Sequence, residues 1–150
     1  MLDAVLAWIH FMFIFALVST VFAEAFFYQR TLALATLKRL QRVDIAFGIL
    51  AGAVVLSGIA RVMYSPKTPG FYLHDSIFWT KMALFGALGI ASIVPTMHFI
   101  RLGKREPTGD TVAVDEKTYT TVRGVLTLEL VLLLLIPLCA SLMAHGYGYR

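Results

Sequence analysis

Ionisable side chains interrupt long apolar runs of this sequence at His10, Glu24, Asp44, Arg61, Lys81, His98, Glu129 and His145. A charge or an imidazole within a membrane-length apolar segment is costly, and such groups usually turn toward a bundle interior or a cavity. Placed by helical rise, they sort into two layers separated by about 20–25 Å. One layer is His10, Arg61, Lys81 and His145, joined by His74 in the adjoining loop. The other is Glu24, Asp44, His98 and Glu129. His10 and Glu24, close to four whole helical turns apart, fall on nearly one face of their helix.

The first layer combines imidazoles with cations. Two neutral imidazoles from facing helices suit the axial positions of a b-type haem. His10 and His145 are the candidates for the iron, with His74 as a further imidazole beside them. Arg61 and Lys81 would pair with the two propionates. An anionic porphyrin or a quinone fits the same set as a substrate. Trp8, Phe11, Phe13, Phe71, Tyr72, Phe78 and Trp79 offer an apolar lining. The second layer, through Glu24, His98 and Glu129, would take a hard or borderline metal ion or pass protons toward the cytoplasm.

Plainer readings stand beside these. Arg61 and Lys81 lie near span ends, where long cationic side chains snorkel to the interface. The aromatics suit an interfacial belt, and His145 an interfacial position. Asp44 reads as the first-turn acid of a helix beginning at Val43, favoured by the helix dipole. Glu24 and Glu129 have Arg30, Arg42 and Arg123 as pairing candidates. Glu129 and His145 fall on nearly opposite faces of a straight helix, so they share a face only if Pro137 bends it.

The elements that must position these residues follow from composition. Of 150 residues, 59% are hydrophobic and 15% charged, against about 25% charged in a soluble domain, and mean hydropathy is +0.78. The apolar residues gather into four runs, roughly 4–28, 43–63, 77–100 and 125–144. A run of about 20 apolar residues spans the hydrocarbon layer, and lipid leaves the helix as the open structure with satisfied backbone groups. The expected fold is therefore all-α: one integral membrane four-helix bundle filling the chain. The first run has no basic region before it, carries Asp3, and shows no small-residue cleavage site, so it reads as a retained span. Glycines at 48, 52, 58, 86 and 89 give small surfaces for helix contact, and Pro95 and Pro137 are expected to kink their helices.

The charges orient the bundle. Arg30, Lys38, Arg39 and Arg42 fall in the first loop, 29–42, and Arg101, Lys104, Arg105, Lys117 and Arg123 in or beside the third, 102–121. An excess of Lys and Arg marks the cytoplasmic side, so both termini and the 64–76 loop are expected outside, N-out and C-out. The net charge of +4 thus reflects topology and not nucleic acid. The third loop reads as a solvated connector, and the turn-rich Tyr64-Ser-Pro-Lys-Thr-Pro-Gly70 stretch as a connector that could also cover the outer mouth of a pocket. Cys139 stands alone and forms no disulfide within the chain. There is no phosphate-binding glycine loop, His-Glu-x-x-His, nucleophile elbow or Cys-x-x-Cys.

His10 in the first span, Arg61 ending the second, and Phe78-Trp79-Thr80-Lys81 opening the third resemble an uncharacterised family of four-span bacterial predicted membrane proteins. More distantly, the first three spans resemble the HemJ-type protoporphyrinogen oxidases and CopD-like membrane proteins. The HemJ resemblance implies a helical inner-membrane protein that binds b-type haem, with its invariant histidine, arginine and lysine at His10, Arg61 and Lys81. The Asn-Glu-x-Pro stretch that opens the last conserved span of that family is absent, and Glu129 is the only acid in the fourth run here. The resemblance thus carries over haem binding rather than the oxidation reaction. The expectation is a haem-binding redox protein of the bacterial inner membrane, a membrane oxidoreductase if it is an enzyme. The alternatives are an accessory subunit of a larger membrane complex, and metal or proton handling through the acidic layer. Lipid is the expected surrounding, and a homodimer or larger complex a compatible assembly.

Overall fold

The computed structural model describes residues 1–64, 70, 74–105, 110–145 and 147. These carry four helices: α1 (Leu2–Phe27), α2 (Leu34–Tyr64), α3 (Ser76–Gly103) and α4 (Glu116–Ala144). Each is long and apolar enough to cross a membrane. The shortest, α1 with 26 residues, measures about 39 Å against a hydrocarbon layer of about 30 Å. Between 6% and 22% of the most apolar stretch of each helix is buried within the chain. The outward remainder includes Trp8, Phe15, Ile49, Leu56, Ile90 and Leu134, a distribution suited to lipid as solvent. The chain is a multi-pass membrane protein.

The helices outrun their apolar runs at the basic end. α2 begins at Leu34 and not near Val43, so Lys38, Arg39 and Arg42 ride on a helix and not in a loop. α4 begins at Glu116, which makes Lys117 and Arg123 helical as well. Hydropathy marks only the stretch inside lipid, whereas Leu, Ala, Lys, Arg and Gln favour continued helix into water. Asp115 caps α4, its Oδ2 accepting from the Thr118 amide at 3.0 Å. Asp75 caps α3, its Oδ1 accepting from the amides of Ile77 at 2.8 Å and Phe78 at 3.3 Å. α3 and α4 run on through Pro95 and Pro137.

The first and third connections are not independent loops. Thr31–Ala33 (β1) and Thr111–Ala113 (β2) pair antiparallel, with Leu32 opposite Val112. Leu34 N–H donates to Asp110 O at 3.1 Å and Val114 N–H to Arg30 O at 2.9 Å, extending the ribbon at both ends. Leu32 and Val112 point into the bundle and are buried, while their strand neighbours are exposed. The ribbon ties hairpin α1–α2 to hairpin α3–α4 at the basic end and places the chain's first and last helical ends together at the other. α1 packs chiefly on α2 and α3 on α4, with α1–α4 and α2–α3 contacts closing the ring.

Two apolar cores result. The one at the ribbon end gathers Tyr28, Leu32, Leu37, Leu40, Phe99, Leu102, Val112, Val122 and Leu126. The other, nearer mid-membrane, gathers Leu17, Val21, Phe47, Val54, Leu88, Leu132 and Leu133. Glu24 and Glu129, 2% and 1% exposed, are buried polar groups of the same interior.

Candidate functional site

At the end away from the ribbon, α1, α2 and α3 bring His10, Arg61 and Lys81 into mutual electrostatic reach. Position 57, one turn before Arg61 on α2, is the anchor. His10 Nδ1 lies 2.8 Å from Ser57 Oγ, and Ser57, 8% exposed, donates its own proton to Ala53 O at 2.7 Å. With the single hydroxyl proton on the Ala53 carbonyl, the imidazole donates to Ser57 Oγ through Nδ1–H. In the neutral ring Nε2 is then left as an acceptor. A Cβ at Gly58 would sit 3.4 Å from His10 Cε1, at van der Waals contact.

The cations are flanked by aromatic rings. Arg61 Cζ stands 5.8 Å from the centroid of Phe11, and Lys81 Nζ 5.4 Å from that of Phe78. Such placement over a ring face is attractive when desolvated. Arg61 Nε is buried and has no hydrogen-bond partner among the described residues. Asp75 and Cys139 lie within electrostatic reach of Lys81. Asp75 is 1% exposed, and its Oδ2 is buried with no partner among the described residues. This carboxylate is a member of the cluster that hydropathy reading passed over. The Asp-Ser pair just before an apolar run, a helix-start signature, was the signal for it.

The other two histidines of this end are placed differently. His74 Nδ1 donates to Gly70 O at 2.8 Å and His145 Nδ1 to Ser141 O at 2.9 Å, and both residues are exposed. Each ring is turned onto its own backbone rather than toward His10. Each shares the tautomer of His10, with Nε2 as the acceptor. Trp8, Phe11 and Trp79 are exposed, while Phe13 and Phe78 are partly buried. Phe71, Tyr72 and most of the stretch expected to cover the mouth lie outside the described residues.

The acidic layer is rearranged relative to expectation. His98 is hydrogen-bonded to the end of α1. Its Nε2 pairs with Tyr28 OH at 2.9 Å, and its ring meets Tyr28 edge-on at 5.5 Å and Phe99 at 5.9 Å. Asp44 is not a first-turn acid: α2 starts earlier, and Asp44 sits well inside it, accepting from Thr96 Oγ1 at 2.6 Å. Glu24 interacts electrostatically with both Asp44 and Glu129. Each helix therefore supplies one polar group to this level: Glu24, Asp44, Thr96 and Glu129. Two of the three arginines named as pairing candidates of the glutamates are engaged elsewhere. Arg30 pairs with Glu116 at 2.8 Å, and Arg123 donates to Ala25 O at 2.6 Å. One oxygen of Glu24 and one of Glu129 are buried without a partner among the described residues. Among the described residues no group of three or more His, Cys, Asp or Glu side chains is placed to hold a metal ion.

The geometry can be set against known proteins. A family model described as "Predicted membrane protein (DUF2214)" matches residues 2–148. The chain belongs to this family. The match spans all four helices, so the His10, Arg61 and Lys81 cluster and the Glu24, Asp44 and Glu129 level both fall within the family's domain. No curated protein and no solved structure matches the chain.

Proposed function

We propose that the chain is a b-type haem-binding protein of the bacterial inner membrane with a redox role, its haem held at the end away from the ribbon. The observation that carries this reading is the His10–Ser57 hydrogen bond, with Arg61 and Lys81 beside it. Ligating histidines characteristically donate the other ring N–H to a fixed acceptor, which sets the tautomer and aims the free nitrogen. Ser57 does this for His10. Arg61 and Lys81 supply two cations for two propionates, and the buried Arg61 Nε has no partner among the described residues. Haem so held would contribute one-electron redox chemistry. A second axial ligand would come from His74 or His145, each of which donates Nδ1–H to a backbone carbonyl and so keeps Nε2 available. The gathering of Lys and Arg at the ribbon end supports an orientation with that end in the cytoplasm and both termini outside.

The deciding experiment is an absorbance spectrum of the detergent-purified protein from haem-replete cells, oxidised and dithionite-reduced. A Soret band is expected, lost in His10→Ala. A preparation that is colourless, and stays so after haem is added, removes the proposal.

One observation favours a second reading, an accessory subunit of a membrane complex. Ser19 and Ala23, one turn apart, floor an outward groove of about 410 Å³ on α1 between Phe22, Phe26 and Phe27. Small residues at that spacing allow another membrane helix to approach closely. Co-purification of a partner in mild detergent, lost in Ala23→Leu, would support it.

A further inference from the structure

We infer that the crevice between α3 and α4 at the ribbon end binds one acidic phospholipid, the head-group phosphate meeting Arg101, Arg105 and Lys117. The crevice has a volume of about 480 Å³. Its walls change character along the membrane normal. Ile93, Val94 and Met97 form the part toward mid-membrane, and all three are exposed. Arg101 and Arg105 follow toward the end of α3, and Lys117 faces them from the first turn of α4. From Ile93 to Arg101 is about 12 Å of apolar wall along the helix.

Among the described residues these cations have no salt-bridge partner, and Asp115 lies within electrostatic reach of Arg105. The one salt bridge among the described residues joins Arg30 to Glu116, so no described carboxylate pairs with Arg101, Arg105 or Lys117. Three cations converging on one cleft repel one another unless an anion stands between them. The cleft does not close over its ligand but opens sideways along apolar, outward-facing side chains. A freely soluble anion would leave that wall unused, whereas a lipid fills it with an acyl chain. Basic pockets between membrane helices suit anionic head groups for this reason. A zwitterionic lipid would bring a cation of its own, and no acidic side chain among the described residues lines the cleft to receive it. The inner wall is stiff: His98, which also lines the crevice, is tied to Tyr28, and Tyr28 stacks on Tyr119 at 5.4 Å. The site lies at the opposite end of the bundle from His10, so it stands or falls independently of haem.

The test uses the full chain in detergent, probed by native mass spectrometry with phosphatidylglycerol or phosphatidylcholine. One variant is Arg101→Gln, Arg105→Gln, Lys117→Gln. The control is Lys38→Gln, Arg39→Gln, Arg42→Gln. The control removes as much charge from exposed positions of α2 at the same end. A cation near a membrane surface is worth on the order of fivefold in affinity. Phosphatidylglycerol should be retained selectively and weakened at least tenfold in the crevice variant, with little change in the control. If the triple variant does not fold, Lys117→Gln alone should weaken retention about fivefold. Equal retention of phosphatidylcholine, or equal weakening in the control, overturns the inference. So does full competition by inorganic phosphate, which would mean that the anion alone is recognised.

Discussion

Ser57→Ala is the sharpest perturbation of the His10 end. It removes one oxygen from a buried position on α2 and strips the His10 Nδ1–H of its acceptor across the α1–α2 interface. The serine's own bond to Ala53 O returns into its helix and is replaced by nothing, since the Ala53 carbonyl keeps its backbone partner. Hydrogen bonds between membrane helices average about 0.6 kcal/mol and reach about 1.7. The 2.8 Å length and the burial of Ser57 place this one in the upper half, so the bond should be worth about 1 kcal/mol. The assay is a double-mutant cycle on His10→Ala and Ser57→Ala by denaturation in mixed micelles. The coupling term isolates the bond from the cavity and helix-propensity effects of each single change. A coupling of about 1 kcal/mol is expected. Strictly additive single changes would refute the claim that Ser57 orients the imidazole. A separate arm titrates haem: if His10 is the iron ligand, Ser57→Ala should weaken haem binding about 10- to 100-fold. Coupling without any effect on haem would keep the hydrogen bond and discard the ligand role.

Four further outcomes are expected. Tyr28→Phe removes the bond to His98 Nε2 while keeping the stack on Tyr119, and should cost about 1 kcal/mol. Melting curves of Tyr28→Phe and His98→Ala singly and together would check it, a fully additive pair counting against it. Glu24→Gln and Glu129→Gln should leave stability unchanged or raise it, because neither carboxylate is matched by a described cation; a loss above about 3 kcal/mol, the size expected for breaking a buried ion pair, would contradict this. Asp115 is held below the ordinary carboxylate range by its bonds to Thr118. Its contribution is therefore present above about pH 4, the unfolded value, and is lost as pH falls through the lower folded value. Asp115→Ala should flatten the acid side of the stability-against-pH curve, and an unchanged curve would exclude the effect. Gly103→Ala places a methyl against the Gln41 amide nitrogen, so Gln41 must swing away and give up its bond to Phe99 O. About 1 kcal/mol of destabilisation is expected, absent in a Gln41→Ala background.

Much of this protein follows from its chain read in order. Four long apolar runs require four helices, because a backbone in lipid must satisfy its own hydrogen bonds. Charge depth placed His10, Arg61 and Lys81 at one level, since helical rise is fixed and alternating spans return to the same height. What the sequence left open was azimuth and partnership. Rise says nothing of which way His98 or His145 faces. Packing decided that His98 joins Tyr28, that His145 turns onto its own helix, and that Asp44 faces Thr96. The β ribbon was invisible for a related reason. Thr31–Ala33 and Thr111–Ala113 are too short to show alternation, and each is a strand only because the other lies beside it. Depth is a property of one helix and can be read from the chain; neighbours are a property of the bundle, and only the tertiary structure assigns them.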